Sequence, residues 1–362
     1  MRIRFVTSTP LEISRGSGTF VGITTLANAL RALGAEVEFI VPTLHLPIYT
    51  LQRLVFNESL RRRKLSPADV TVGFDMDGYT LARSVGVSGM HIAAIKGVIA
   101  DEMRFESGVT RATMRIQAAC ERAHVRRADA VITTSTYSAG RIETLYGVPQ
   151  TPHIVPELID LNAWKALFEA TPGPPVGGKF TVLSVCRFYP RKRLHVLLRA
   201  AARLRDRIPQ LEVRIVGGGP EAARLKRICR EEALESMVTW RENISQTELI
   251  QEYRRCDIFC LPSVQEGFGI VFLESMASGK PVVAAKAAAI PEVVEHGLLV
   301  EPENDEALAG AIERLYRDRG LCAALAAASI ESVKQFDAPM VGNTFLRKLE
   351  ELIELSKQRR VE

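Results

Sequence analysis

Short apolar segments alternate with longer helical segments along nearly the whole chain of 362 residues. The first half predicts strands near Ile3–Thr7, Val37–Val41, Val70–Gly73, His91–Ile95, Ala130–Thr133 and His153–Val155. The second half predicts strands near Thr181–Ser184, Glu212–Val216, Val238–Trp240, Ile258–Leu261 and Val282–Ala284. This alternation is typical of parallel sheets covered by helices on both faces. The sequence therefore predicts an α/β fold.

Proline and glycine crowd between the two halves, where residues 171–178 read TPGPPVGG without a hydrophobic period. Such a composition is typical of an interdomain linker. We therefore predict one Rossmann-like domain over residues 1–170, a linker over 171–178 and a second Rossmann-like domain over 179–338. A C-terminal helix over residues 339–362 is expected to pack back on the first domain.

Composition and charge narrow the classes of function. The net charge of +5, from 47 Lys and Arg against 42 Asp and Glu, suits an anionic ligand or membrane surface without requiring nucleic acid. The six cysteines form no CxxC pair, and no histidine cluster has zinc spacing, so reduced thiols and no metal are expected. The first residues predict a strand instead of a signal peptide, and no apolar run approaches the length of a membrane span. A cytoplasmic location is expected.

The segment from Cys256 to Val294 carries the strongest functional signal. A short strand runs into the loop Glu266-Gly267-Phe268-Gly269, and a helix is predicted from Ile270 to about Ser278. Free N–H groups at a helix start attract phosphate, and glycine lets a ligand approach the backbone closely. Glu274 is predicted about one turn into that helix, where a carboxylate can accept hydrogen bonds from a ribose. The plain alternative is a surface loop with two solvated glutamates.

Three further loops follow predicted strands. Gly16 and Gly18 lie in a loop after the first predicted strand, where we expect backbone N–H groups to bind a donor phosphate or an acceptor to approach. The loop does not match the GxGxxG dinucleotide pattern. Arg187 and Lys192 flank a turn after the first strand of the second domain, where two cations can neutralise a diphosphate leaving group. Gly218 is the middle of a three-glycine turn after the next strand, and we expect this tight turn to lie near the donor. For Arg187 and Lys192 the alternative is a solvated basic start of a helix. For Gly218 it is a plain strand-to-helix turn.

Together these motifs resemble the GT-B-fold retaining glycosyltransferases of family 4, also called glycosyl transferases group 1. The resemblance covers most of the chain and is strongest from Ala130 to Pro302. It depends on the EGFG loop with a second glutamate eight residues later, on the basic pair after residue 185, on the glycine turn, and on the run Pro281-Val282-Val283-Ala284 followed by Pro291-Glu292.

The resemblance implies two Rossmann-like domains that face each other across a cleft, with the acceptor on the first and the nucleotide sugar on the second. It implies that Arg187 and Lys192 hold the diphosphate and that backbone amides of Phe268–Ile270 assist. It implies that Glu266 contacts the donor sugar, that Glu274 contacts the ribose, and that the base lies near Asn243 and Ile244. A UDP- or GDP-linked donor is implied, with no bound metal.

The chain also departs from the family pattern. Lys96 stands where family members often carry a histidine near the reacting carbon. A lysine there can hold a donor hydroxyl or a phosphate or contact the acceptor, and the alternative is a solvated lysine at the end of a strand. Cys186 and Arg193 replace glycines on either side of the basic pair, and Ala288-Ala289 replaces a Gly-Gly pair. Asp75-Met76-Asp77 has the letters of a DxD motif but lies in the first domain, where we interpret it as a local turn or an acceptor-side contact.

The acceptor is left open between a lipid-linked molecule and a polysaccharide or small-molecule hydroxyl. Residues 47–65 combine apolar residues (Leu51, Leu54, Val55 and Leu65) with the basic run Arg61–Lys64. Peripheral contact with an anionic membrane at its inner face is one hypothesis, and a packed helix with a solvated basic end is the alternative. A catalytically degenerate sugar-nucleotide-binding partner subunit is the alternative function. A third possibility is a GT-B sugar-nucleotide epimerase.

Overall fold

The computed structural model describes residues 1–10, 18–44, 46–82, 89–148, 150–173 and 178–361, without the side chains of 359–361. The chain divides into two compact units. Unit 1 comprises Met1–Leu158 together with Ala338–Glu362, and unit 2 comprises Ile159–Asp337.

Each unit contains a sheet of six parallel strands among the described residues. The strands of unit 1 stand in the order β2-β1-β3-β4-β5-β6. They are β1 (Arg2–Val6), β2 (Glu36–Ile40), β3 (Val70–Phe74), β4 (Met90–Ile95), β5 (Ala130–Thr133) and β6 (His153–Ile154). The strands of unit 2 stand in the order β12-β11-β10-β7-β8-β9. They are β7 (Phe180–Val185), β8 (Leu211–Val216), β9 (Val238–Arg241), β10 (Ile258–Leu261), β11 (Val282–Ala285) and β12 (Leu298–Val300).

Helices connect most of the successive strands, as is usual for parallel pairing. They are α1 (Gly18–Ala32), α2 (Tyr49–Leu60), α3 (Ile99–Glu102), α4 (Gly108–Arg127), α5 (Thr136–Tyr146), α6 (Leu161–Ala170), α7 (Leu194–Leu204), α8 (Ala222–Glu231), α9 (Gln246–Arg255), α10 (Ile270–Ala277), α11 (Ile290–Val293), α12 (Asp305–Arg317), α13 (Arg319–Ser332) and α14 (Ala338–Val361). Among the described residues, none of these helices is long and apolar enough to cross a bilayer. The α/β fold predicted from the alternation is confirmed.

The sequence predicts that the first domain ends at residue 170, but the structure changes from unit 1 to unit 2 earlier, between Leu158 and Ile159. Residues 159–170, which the sequence predicts in the first domain, include helix α6 and belong to unit 2. The indole N–H of Trp164 donates to Ser278 Oγ at 3.1 Å, and its ring lies edge-on to Tyr253 at 5.6 Å. The aromatic residue of α6 therefore fastens this helix to α9 and α10. Residues 174–177 of the predicted linker lie outside the described residues.

Helix α14 belongs to unit 1 although it follows all of unit 2 in the chain. Its apolar residues Val341, Phe345 and Leu349 join the same core cluster as Ala29 and Leu30 of α1. A Cβ at Gly342 would lie 2.9 Å from the Cβ of Ala29, so the two helices meet where only glycine fits without a shift. The last helix thereby covers one face of the first sheet.

Candidate active site

The strand order of unit 2 reverses between β7 and β10. From β7 the chain moves to β8 and β9 on one side, whereas from β10 it moves to β11 and β12 on the other. In open parallel sheets, ligands bind outside the carboxyl ends of the strands at such a reversal. The two loops at this point are residues 186–193 after β7 and residues 262–269 after β10.

These loops bring Lys192 and Glu266 together. Lys192 Nζ lies 2.5 Å from Glu266 Oε1, and both side chains are about nine-tenths buried. The backbone N–H of Val264 donates to the carbonyl of Arg191 at 2.9 Å, which ties one loop to the other. A lysine ammonium has three donors, so Lys192 can hold Glu266 and still donate to a diphosphate.

Arg187 follows β7 directly and is exposed. Among the described residues it has no carboxylate partner, so its guanidinium is available to an anion. The neighbouring Cys186 is different, because burial raises the pKa of its thiol to about 12. Cys186 is therefore a neutral packing residue at physiological pH.

The glycine turn after β8 packs directly on the loop after β7. Gly217 and Gly219 have φ values of +128° and +154°, and a Cβ at Gly217 would lie 1.9 Å from the Cys186 carbonyl oxygen. Gly218 has more room, and its carbonyl accepts from the N–H of Phe188 at 2.9 Å. The turn holds the backbone of Arg187–Phe188 in place at the edge of the sheet.

Helix α10 begins next to Glu266. Gly269 has φ +96°, and a Cβ there would lie 2.6 Å from the ring of Phe272. The ring of Phe268 is buried against Phe336 at 5.4 Å, and Ile270 is also buried. The side chains of Phe268 and Ile270 are therefore core residues. Any contribution from Gly267–Ile270 to ligand binding is made by the backbone and the positive end of the helix dipole.

Glu274 lies one turn into α10, as predicted, and is half-buried. The hydroxyl of Tyr253 on α9 donates to Glu274 Oε2 at 2.8 Å. Burial raises the pKa of Glu274 to about 7, although the tyrosine hydrogen bond opposes that rise. The carboxyl group is therefore divided between its protonated and ionised forms near neutral pH.

Asn243 and Ile244 follow β9 at the same edge of the sheet. Asn243 is exposed and has φ +53°, a left-handed conformation that asparagine tolerates better than most residues. Ile244 is partly buried against the core of unit 2. The predicted donor-site residues of the second half thus all lie at the carboxyl ends of β7, β8, β9 and β10 or at the start of α10.

The remaining predicted residues lie in unit 1. Gly18 begins α1 and is exposed, whereas Gly16 lies outside the described residues. Lys96 follows β4, and its Nζ lies 2.9 Å from Glu157 Oε2 with both side chains largely buried. The charge of Lys96 is thus matched by a carboxylate within its own unit.

Asp75-Met76-Asp77 lies in a turn after β3, in which the carbonyl of Phe74 accepts at 2.9 Å from the N–H of Asp77. The buried carboxylate of Asp77 accepts from the N–H and hydroxyl of Ser8, both at 2.7 Å, and from Arg53 at 3.2 Å. Asp75 is less enclosed and has φ +54°. Burial raises the pKa of Asp75 to about 6, with Arg53 opposing the rise.

Sequence reasoning missed Tyr253, Glu157 and the raised pKa of Asp75. Tyr253 lies on α9, and its contact with Glu274 arises from helix packing, for which no local motif exists. Glu157 belongs to none of the motifs identified in the sequence. Its ion pair with Lys96 joins residues 61 positions apart. The one available signal was that both residues follow predicted parallel strands, whose carboxyl ends share an edge.

Comparison with solved structures defines the class of fold. Sucrose-phosphate synthase from Thermosynechococcus elongatus superimposes with a TM-score of 0.80 at 21% identity, covering 98% of this chain and 99% of that chain. The chain has the GT-B fold of glycosyltransferases. Residues 170–332, which make up most of unit 2, match the family model described as Glycosyl transferases group 1.

Two curated relatives share part of their length with this chain. The first is the GDP-mannose-dependent alpha-(1-6)-phosphatidylinositol monomannoside mannosyltransferase of Mycobacterium tuberculosis (strain CDC 1551 / Oshkosh), 30% identical over 57% of this chain and 57% of its own length. The second is the D-inositol 3-phosphate glycosyltransferase of Rhodococcus erythropolis (strain PR4 / NBRC 100887), 32% identical over 59% of this chain and 51% of its own length. The chain spans about half the length of these relatives.

Proposed function

We propose that this protein is a retaining glycosyltransferase that moves a sugar from a UDP- or GDP-linked donor to an acceptor hydroxyl. The observation that carries this proposal is the Lys192–Glu266 pair at the reversal point of the second sheet, 2.5 Å apart and beside the start of α10. The match of residues 170–332 to Glycosyl transferases group 1 supports it.

In the proposed reaction, Lys192, Arg187 and the positive end of α10 stabilise the negative charge that develops on the diphosphate as the glycosidic bond breaks. Glu266 is fixed by Lys192, so its second carboxylate oxygen is oriented to accept a hydrogen bond from a donor-sugar hydroxyl. Glu274 accepts from the ribose, and the base lies against the backbone at Asn243–Ile244. No metal ion takes part in this proposal.

The donor is tested by thermal unfolding with GDP, UDP, ADP, GDP-mannose and UDP-glucose, each with and without EDTA. A nucleotide that binds only the native protein raises the unfolding midpoint by mass action. We expect a shift with one base that EDTA leaves unchanged and that Glu274→Ala abolishes. Glu235→Ala, which removes an exposed carboxylate on the same unit, serves as the matched control. A shift with none of the five ligands would overturn the donor site.

The GDP-linked donors come first in that panel because one relative is named as GDP-mannose-dependent. For the acceptor, both relatives' names contain an inositol group, so inositol phosphate and phosphatidylinositol are the first probes. Retention is tested by the anomeric coupling of the product in NMR. A product of inverted configuration would refute the retaining mechanism and leave the transferase proposal intact.

A sugar-nucleotide-binding subunit without transferase activity is the second candidate. The ion pair of Lys96 with Glu157 favours it, because Lys96 replaces a family histidine and its charge is already matched. The two proposals differ in turnover. Binding of the donor without release of free nucleoside diphosphate, with every acceptor tried, supports the subunit, and acceptor-dependent release supports the enzyme.

A further inference from the structure

Two residues with left-handed backbones contact each other at the carboxyl edge of the sheet in unit 2. Arg193, which precedes α7, has φ +52°, and Glu303, in the loop between β12 and α12, has φ +60°. Such angles are uncommon for residues other than glycine. The Arg193 guanidinium forms an ion pair with the Glu303 carboxylate. An unfavourable conformation is therefore kept at both ends of one contact, which points to a role for the pair.

Arg193 closes the turn that carries Lys192. Residues Pro190–Lys192 form one turn of 3-10 helix. The N–H of Lys192 donates to the carbonyl of Tyr189 at 3.0 Å, and the N–H of Arg193 donates to the carbonyl of Pro190 at 3.3 Å. The side chain of Arg193 adds a second bond, from Nη1 to the same Pro190 carbonyl at 3.1 Å. The guanidinium thus holds together the two ends of the turn in which Lys192 lies.

Glu303 anchors the guanidinium from the other side. Its Oε1 meets Arg193 Nε, and its Oε2 lies 3.5 Å from Nε2 of His195 in the first turn of α7. Both carboxylate oxygens therefore face the start of α7. Strands β11 and β10 stand between β12 and β7 in the sheet. The contact of Glu303 with Arg193 thus links two loops whose strands are not neighbours.

The ion pair of Arg193 with Glu303 is partly open to solvent. The two side chains are 25% and 46% exposed, respectively. Ion pairs of this kind contribute little to the stability of a fold, because water screens them and both side chains lose conformational freedom. Stability alone therefore does not account for a contact that keeps two residues in left-handed conformations. What the contact does fix is the position of the turn before α7.

We propose that Arg193 and Glu303 form a staple that positions Lys192 for the diphosphate of the donor. The staple consists of the Arg193 guanidinium with its contacts to Pro190 and Glu303. Lys192 has to face both Glu266 and the diphosphate, so a small shift of its turn separates the ammonium from the phosphate. This inference rests on the proposed function and adds two positioning residues to it.

Charge alone predicts the opposite effect for Glu303. A carboxylate near an anion-binding site repels the anion, so its removal strengthens the binding of a diphosphate. In the staple the same carboxylate holds Arg193 in place, so its removal weakens that binding. Glu303→Gln therefore distinguishes a positioning residue from a charge that merely lies nearby.

The test is calorimetric titration of the full chain with GDP, UDP, GMP and UMP. For the nucleoside diphosphate that the wild type binds, we expect Glu303→Gln to weaken binding by about fivefold and Arg193→Gly by about tenfold. Glycine adopts φ +52° without strain, so Arg193→Gly removes only the side chain. The monophosphate should lose less affinity, because it lacks the second phosphate that Lys192 holds. A general loosening of unit 2 would weaken both nucleotides equally.

Three further variants serve as controls. Glu301→Gln removes an exposed carboxylate from the loop of Glu303 and should bind at least as tightly as the wild type. Arg203→Gln breaks another ion pair between α7 and α12, with Asp305, and should leave binding unchanged. In the Arg193→Gly protein, Glu303→Gln should add no further loss, because Glu303 acts through Arg193.

Hydrogen exchange without nucleotide tests the staple separately from the donor site. Glu303→Gln and Arg193→Gly should both speed exchange of the amides of residues 192, 193 and 264, which close the turn and tie it to the loop after β10, and leave the interior of α7 unchanged. Unchanged exchange at these amides would overturn the proposal. So would a Glu303→Gln protein that binds the diphosphate as tightly as the wild type, equal losses for mono- and diphosphate, or additive losses in the double variant. Faster exchange in a protein whose wild type binds no nucleoside diphosphate would overturn the donor site and leave the staple as a structural contact.

Discussion

Lys192 Nζ and Glu266 Oε1 are 2.5 Å apart, and the two residues come from loops that follow neighbouring strands of one parallel sheet. The pair is separated by 74 positions in sequence. Because both side chains are buried, removing one member leaves an unpaired charge inside the protein. Function and stability are therefore coupled at this pair.

Breaking this pair should cost more than breaking an exposed one. Lys192→Met is expected to lower the free energy of unfolding by about 3 kcal/mol, because Glu266 remains buried without a cation. The double variant Lys192→Met with Glu266→Leu should recover much of that loss and remain unable to bind nucleotide. Urea unfolding and calorimetric titration measure the two properties separately.

The exposed pair Lys226–Glu242, at 2.7 Å, is the control. Lys226→Met should change the free energy of unfolding by less than about 1 kcal/mol. Equal losses in Lys192→Met and Lys226→Met would show that the Lys192–Glu266 pair is not energetically buried.

The glycine turn after β8 offers a matched pair of substitutions. Gly217→Ala would place a Cβ 1.9 Å from the Cys186 carbonyl oxygen, whereas a Cβ at Gly218 finds its nearest atom, Glu242 Oε2, at 4.0 Å. We expect Gly217→Ala to lose more than about 3 kcal/mol of stability and Gly218→Ala to stay within about 1 kcal/mol of wild type. Thermal and urea unfolding measure the difference. Similar stabilities for the two variants would contradict the close packing of this turn on the loop of Arg187.

Ala288 has φ +51°, a left-handed conformation that is unfavourable for alanine, at a position where the family pattern has glycine. Ala288→Gly should raise the free energy of unfolding by about 0.5–1 kcal/mol, because relief of the strain exceeds the added freedom of the unfolded chain. The neighbouring Ala289 precedes α11 with φ −79°, in the right-handed region, and is fully buried. Ala289→Gly should instead destabilise by about 1 kcal/mol, and the same sign for both variants would refute the argument.

The sequence alone predicts the two halves, the parallel sheets and the placement of the donor residues at strand ends, because strand–helix alternation and loop motifs are local signals. Trp164 shows where this reasoning stops. Its helix precedes the proline-rich segment and was assigned to the first domain, yet its indole bonds to Ser278. A contact over 114 positions leaves no periodic trace.

The site shows the same limit. Lys192 and Glu266 are both recognisable from motifs, and their meeting follows from strand order. The bond between Tyr253 and Glu274 depends on how α9 packs against α10, which is set by side-chain shapes on both helices. The pKa of Glu274 depends on that packing and on burial, so it was not accessible from sequence.

Glu274 gives unit 2 a characteristic pH dependence. Burial raises its pKa from 4.5 to about 7 in the folded protein. Between these values the native carboxyl keeps its proton while the unfolded one releases it, so the contribution of Glu274 to stability falls as pH rises through this range. Glu274→Gln, which can still accept from Tyr253, should be more stable than wild type at pH 8 and similar at pH 4.5. Urea unfolding at both pH values measures this.

Glu274→Gln should weaken nucleotide binding even though it stabilises the fold at pH 8. The ionised carboxylate is the better acceptor for ribose hydroxyls, so wild-type affinity should rise as pH increases through 7, and Glu274→Gln should bind weakly at every pH. Tyr253→Phe removes the hydrogen bond that lowers the pKa of Glu274, and should shift the rise in affinity to higher pH. A wild-type affinity that is flat from pH 6 to 8 would contradict the ribose assignment.

Unit 1 should respond to pH in the opposite sense, through the buried pair His91 and His124. Their Nε2 atoms are 2.8 Å apart, and His124 Nδ1 lies 2.6 Å from the carbonyl oxygen of Asp75. Burial lowers the pKa of His124 from 6.5 to about 4 and that of His91 well below 6.5. Below pH 6.5 the unfolded histidines bind protons, whereas the native pair stays neutral. The contribution of the pair to the free energy of unfolding is therefore complete above pH 6.5 and is lost as pH falls toward 4.

Replacing one member of the pair isolates this effect. His91→Leu should lose about 1 kcal/mol at pH 7.5, because His124 loses a hydrogen-bond partner. Between pH 6.5 and pH 5 the variant should also lose less stability than the wild type. The difference is up to about 1.4 kcal/mol per pH unit, which is the change in free energy when unfolding takes up one proton. Burial raises the pKa of Glu121, which makes its contribution to stability depend on pH in the opposite sense. Glu121 is present in both proteins, so its contribution cancels when the two pH curves are subtracted. The exposed His296 provides the control, since His296→Gln should leave the slope unchanged. If His91→Leu follows the wild-type pH curve at a constant offset, the histidine pair is not the source of acid sensitivity in unit 1.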